Sequence, residues 1–173
     1  MQMDFLPNQQ PEDEWKFTFK NAYINRNFDN DALKDTGSWS QAASLFYKSK
    51  MHDTPLVIAD KPITIGADAS VQYAVRLSSD KHVADTVLPF NKETQSQASD
   101  YLKYGATLKL GYDKTLLSVG ELWLDLPVTA VDASRQLLTS YWGTNLKSQL
   151  SDQLYAEIGR VEKVSPRNEE DFK

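Results

Sequence analysis

The sequence predicts an all-β chain, in particular about seven antiparallel strands of a transmembrane β-barrel. Three observations carry that expectation. Apolar and polar residues alternate with a period of two over stretches longer than the 5–6 residues or so of a typical soluble strand. The wholly apolar runs are short, as in Leu56-Val57-Ile58-Ala59, so a spanning helix of about 20 apolar residues does not fit anywhere. The connections alternate between tight turns and long polar loops, as in bacterial barrels with turns on the periplasmic side and loops outside.

Composition narrows the chemistry. The chain has 173 residues, 40% hydrophobic, with a formal net charge of −5, values that alone would suit one soluble domain. It contains no cysteine, which excludes disulfides, thiol nucleophiles and thiolate metal sites. His52 and His82 stand alone in polar surroundings, so neither a metal centre nor a cofactor is expected. P-loop and dinucleotide patterns are missing, and no basic–aromatic cluster points to nucleic acid. The start, Met1-Gln2-Met3-Asp4, lacks the charged and apolar regions of a signal peptide. The expectation is a mature form behind an added or exposed methionine.

Residues 1–14 read as a polar N-terminal segment and residues 15–173 as part of one barrel domain. In the first strand Trp15, Phe17, Phe19 and Tyr23 share one face, and Lys16, Thr18, Lys20 and Arg26 the other. Aromatics at the ends of such a stripe suit an interfacial girdle. A second strand is expected over residues 39–50. The clearest strand spans residues 64–77. Ile65, Ala67, Ala69, Val71, Tyr73, Val75 and Leu77 there alternate with Thr64, Gly66, Asp68, Ser70, Gln72, Ala74 and Arg76, a period no helix produces. Residues 101–112 alternate in the opposite phase, Tyr104, Ala106, Leu108, Leu110 and Tyr112 against Lys103, Gly105, Thr107, Lys109 and Gly111. Less regular strands are expected over residues 116–124, 139–147 and 153–163. Residues 112–115 and 148–152 read as turns, and residues 27–38, 78–100 and 125–138 as long loops. Residues 51–63 fit this scheme poorly: a short turn is due there, yet the stretch is long and carries Pro55 and Pro62.

Charge placement says more than charge sum. Acids gather in the expected tails and loops, among them Glu12-Asp13-Glu14 and Glu169-Glu170-Asp171. The polar strand faces carry Lys16, Lys20, Arg26, Arg76, Lys103 and Lys109 against Asp68. These six are the candidate pore-lining residues, because a row of cations in a narrow lumen lowers the transfer barrier for anions. The plainer reading makes them the solvated face of a sheet. Glu121 has no partner at useful spacing for acid–base work and reads as structural, so no enzyme is expected.

Three strings resemble the OprD-like family of substrate-specific outer-membrane porins. They are Asn21-Ala22-Tyr23-Ile24-Asn25-Arg26-Asn27-Phe28, then Asp113-Lys114-Thr115-Leu116-Leu117-Ser118-Val119-Gly120-Glu121-Leu122, then Pro127-Val128 followed by Ser134-Arg135-Gln136-Leu137 and residues 139–143. Their order and approximate spacing agree across nearly the whole chain. The resemblance implies a barrel of about 18 strands in the outer membrane, a monomer or weak trimer among lipid and lipopolysaccharide. It also implies passive uptake of small carboxylates, namely amino acids and aromatic or other organic acids, and for some members carbapenems, along a basic ladder. Arg26 falls in a matching string and is the leading ladder candidate. Ser134 and Arg135 match the region of the infolded constriction loop. Two departures, Val119 where the family has Trp and the extra Asp29-Asn30-Asp31, keep substrate preference from carrying over. Because family members are more than twice as long, the chain is expected to be a piece of a longer protein, ahead of a truncated product or a nicked barrel whose remainder is another chain. The competing reading is a secreted soluble all-β module gripping anionic carbohydrate through the same cations.

Overall fold

The computed structural model describes residues 12–30, 32, 35–78, 88–91, 93, 96–124, 131 and 134–173. Ten strands lie among them: β1 (Glu14–Arg26), β2 (Thr36–Lys48), β3 (His52–Ile58), β4 (Lys61–Arg76), β5 (Phe90–Asn91), β6 (Ser96–Gln97), β7 (Asp100–Tyr112), β8 (Thr115–Leu122), β9 (Ser140–Gln149) and β10 (Tyr155–Ser165). Seven form an antiparallel meander in the order β1-β2-β4-β7-β8-β9-β10. With 13 residues in β1, β2 and β7 and 16 in β4, the long strands exceed the 9–11 or so that a tilted bilayer crossing needs. All seven expected strands are present, with ends shifted by up to three residues. Glu14, expected in the N-terminal segment, opens β1 because it lies opposite Lys48 and forms an ion pair with it at 3.5 Å.

Alternation is inside-out relative to a soluble sheet. On β7, Leu102, Tyr104, Leu108 and Leu110 are exposed while Tyr101, Lys103, Thr107 and Lys109 are buried. Register keeps each class on one face across the wall: Phe17 pairs with Leu45, Leu45 with Val71 and Val71 with Tyr104. So large a continuous apolar surface is not tolerated in water, but hydrocarbon solvates it. Aromatics bound the outer face. Trp15 packs on Tyr47 with ring centroids 4.5 Å apart at the turn end. Tyr23 faces Trp39 at the loop end, where Trp39 Nε1 donates to Asn21 Oδ1 at 2.9 Å. The separation of Trp15 and Tyr23 spans about 26 Å of strand, or roughly 20 Å of membrane normal at a tilt near 40°.

Residues 51–63 form a hairpin where sequence gave no clear account. β3 lies on the same edge of β4 as β2 and continues its line toward the turn end. Ser49 holds the break, its N–H donating to the Ala67 carbonyl at 3.1 Å and its Oγ accepting from the Ala67 N–H at 2.7 Å. The register slips between Asp53 and Val57, around Pro55, whose missing N–H suits a bulge. Ala59 and Asp60, with φ of 46° and 62°, close the hairpin in the left-handed pair that matches strand twist.

The small apolar core lies on the inner face. Ala42, Ala74 and Tyr101 from the wall meet Leu88 and Leu137 from two of the long connections, with Ala22 and Ile24 packed alongside. Both connections therefore send an apolar residue inward.

Candidate functional site

Two adjacent cross-strand rows on the inner face form a cradle. The first is Lys20, Ala42, Ala74, Tyr101 and the second is Thr18, Ser44, Gln72, Lys103. The two alanines leave the depth that Leu137 fills, and Leu137 is fully buried there. Polar groups around them fix the backbone of the loop that carries Leu137. Lys20 Nζ donates to the Arg135 carbonyl at 3.0 Å. Gln136 Nε2 donates to the Ser40 carbonyl at 2.9 Å and to Ser40 Oγ at 2.7 Å. The Leu138 N–H donates to Gln72 Oε1 at 3.1 Å, and its carbonyl accepts from Lys103 Nζ at 2.7 Å. A buried loop must satisfy its peptide groups this way, since water does not reach them.

The eight candidate residues separate into groups. Lys16 and Arg26 are exposed on the inner side of β1, and the Arg26 side chain makes no hydrogen bond or ion pair among the described residues. Lys20 is half-buried, bound to the Arg135 carbonyl, with Lys16 on the same face of its strand. Arg76 donates from Nη1 to the Gln97 carbonyl at 2.9 Å, tying down the β5–β6 hairpin. Lys103 and Lys109 point inward as their parity requires, but both are buried and committed. Lys109 pairs with Asp68 at 2.5 Å and donates to the Ser49 carbonyl at 3.0 Å. Ser134 is exposed and Arg135 half-buried beside the cradle, while residues 125–130 of their loop lie outside the described set. One face thus holds all six cations, yet not as one continuous row of available charge.

Sequence reasoning missed three participants. Arg167, just past β10, donates from Nη1 to Ser134 Oγ at 3.0 Å, and its carbonyl accepts from Tyr101 Oη at 2.7 Å. Gln72 is a polar residue in the polar phase of β4 and Gln136 a polar residue of a loop, with nothing to mark either locally. The available signal was a patch of apolar residues, Ala22, Ile24, Ala42, Ala74 and Tyr101, on the otherwise polar face. Glu121 has a definite place too. By pairing it lies opposite Trp142, on the lipid side, but Gly120 at φ 126° turns the chain so that the carboxylate points inward. There it is buried and accepts from Ser70 Oγ at 2.9 Å. Gly105 leaves it room, since a Cβ at that position would overlap the carboxylate.

A family model described as outer membrane porin, OprD family, matches residues 11–173. The porin-like protein GalP of Pseudomonas putida is 28% identical over 153 residues, covering 88% of this chain and 36% of its own length. The crystal structure of Acinetobacter baumannii OccAB4 superposes with a TM-score of 0.93 at 98% identity, over 96% of this chain and 43% of that one. That of Pseudomonas aeruginosa OpdK with vanillate gives 0.78 at 27% identity, over 94% of this chain and 39% of that one. The chain therefore spans well under half the length of these relatives.

Proposed function

The chain belongs to the OprD family of outer-membrane porins, and from that premise we propose that it supplies part of the wall of a passive, anion-preferring channel for small carboxylates. Family members are channels rather than enzymes and lie in the bacterial outer membrane, which sets aside the soluble carbohydrate-binding reading.

The observation that carries the proposal is an imbalance of available charge on the inner face. Two of its acids are already engaged, the half-buried Asp68 by Lys109 and the buried Glu121 by Ser70. Lys16 and Arg26 stay exposed toward opposite ends of β1. Uncompensated cations in a narrow passage with low-dielectric walls raise the local concentration of anions. Vanillate, present in the OpdK structure, is a carboxylate, and amino acids, aromatic acids and carbapenems carry the same group. Residues 134–138, held on the inner wall, belong in this reading to the constriction.

The test is electrical. Full-length protein in planar bilayers under a salt gradient should give a reversal potential of chloride preference, with currents that fall when benzoate or an amino acid is added. Cation preference, or indifference to every carboxylate, overturns the proposal.

A further inference from the structure

We propose that Lys103 sets the aperture of the channel by joining two inward-folded segments, without itself meeting solute; this rests on the channel reading above. Parity puts Lys103 among the candidate pore-lining cations, but only 3% of it is exposed. Its Nζ donates to three backbone carbonyls, Leu138 at 2.7 Å, Ser165 at 3.0 Å and Pro166 at 3.1 Å. An ammonium has three donors, so none is left for a passing anion. Glu121 in the wall and Glu169 beyond β10 are its acidic neighbours.

The three carbonyls come from two places. Leu138 ends the loop that enters β9, whereas Ser165 ends β10 and Pro166 follows it. The segments also touch directly, through Arg167 Nη1 and Ser134 Oγ at 3.0 Å. Both have further attachments to the same two rows of the cradle: the Leu138 N–H to Gln72, the strand partner of Lys103, and the Arg135 carbonyl to Lys20, with the Arg167 carbonyl bound to Tyr101. Lys20, Ser40 and Gln72 each bind the loop alone. Lys103 binds both segments with three bonds from one amine, whereas Tyr101 beside it reaches them with one bond to the Arg167 carbonyl and one to the Leu137 backbone. Release of its amine leaves the loop and the post-β10 segment held together by the contacts of Arg167 and Tyr101 alone, a looser junction, while the wall strands keep their backbone ladder. Lys103 is thus a positioning residue, and it acts on solute through Ser134, Arg135 and Arg167.

Single-channel recording of the full-length porin tests this. Lys103→Met keeps the length and removes donors and charge. The expected result is retained anion preference, with the single steady conductance replaced by increased open-channel noise and several levels. Lys103→Arg keeps the charge, but a planar fork does not reproduce three diverging donors, so it too should be noisy. A Lys103→Met channel with wild-type conductance and noise overturns the proposal. So does a steady channel that loses anion preference and regains it in Lys103→Arg, the behaviour of a solute-facing charge. Should Lys103→Met fail to assemble, Gln72→Met removes only the acceptor of the Leu138 N–H; a smaller rise in noise supports the proposal and unchanged noise overturns it. Noise is compared with wild type whichever ion wild type prefers, so a cation-preferring wild type defeats the carboxylate reading alone.

Discussion

Arg26 and Lys109 show how little parity says about a single charge. Both occupy the polar phase of their strands, yet the Arg26 side chain is exposed and without a partner among the described residues, while Lys109 is closed into a pair with Asp68. Their substitutions should therefore fail in different ways. Arg26→Ala should lower anion flux severalfold with the barrel intact, because lumen positions tolerate change; unchanged flux in liposome swelling removes Arg26 from the pathway. Asp68→Asn leaves Lys109 buried without its counter-charge, at about 3–5 kcal/mol. The readout is the urea midpoint of the refolded full-length barrel, with little change in ion preference. Glu121 and Gly105 supply a third test. Gly105→Ala should destabilise by about 1–3 kcal/mol through overpacking, and most of that cost should vanish in a Glu121→Ala background. Additive losses in that double-mutant cycle would mean that the two do not share the space.

At the scale of the strand, neighbouring positions belong to different solvents. Phe19 lies midway between Trp15 and Tyr23 on the outer face, and Thr18 beside it faces inward, opposite Ser44. Phe19→Arg should cost roughly 2–4 kcal/mol, the penalty for a cation near the bilayer midplane, and Thr18→Arg close to nothing. Equal effects on the heat-modifiable folded band would contradict the assignment of faces. The β3–β4 hairpin carries a further lesson about elements. A turn was due at residues 51–63 because connections alternate in length, but backbone pairing had not finished at Lys48. β4 presents more edge than β2 covers, and the chain fills the remainder with β3 after a break at Ser49 and a slip around Pro55. A break followed by a proline reads as a loop in one dimension, although the hydrogen bonds resume in three.

Seen whole, the described strands form an open curved wall. β1 and β10 end the meander, each with one edge unpaired among the described strands. Neither lipid nor water tolerates a long unpaired edge, and the related structures are more than twice as long. The 173 residues alone should therefore fail to give a folded, heat-resistant species in detergent. Co-refolding with a fragment carrying the remaining strands should recover one, and recovery without that fragment would count against closure by later strands.

Sequence by itself determined the wall: the seven strands of the meander, the outer and inner phases and the aromatic ends. These are legible because alternation is a local property that repeats every two residues, and because lipid demands it of every strand. Only the tertiary structure decided which inward cations are available and which are bound, since the partners of Lys103 lie 35, 62 and 63 residues away along the chain. It likewise decided that Glu121 turns inward, through one glycine in the left-handed region, and that two loops meet over Ala42 and Ala74. No periodicity encodes contacts of that range; they depend on the register that brings separate strands into one row.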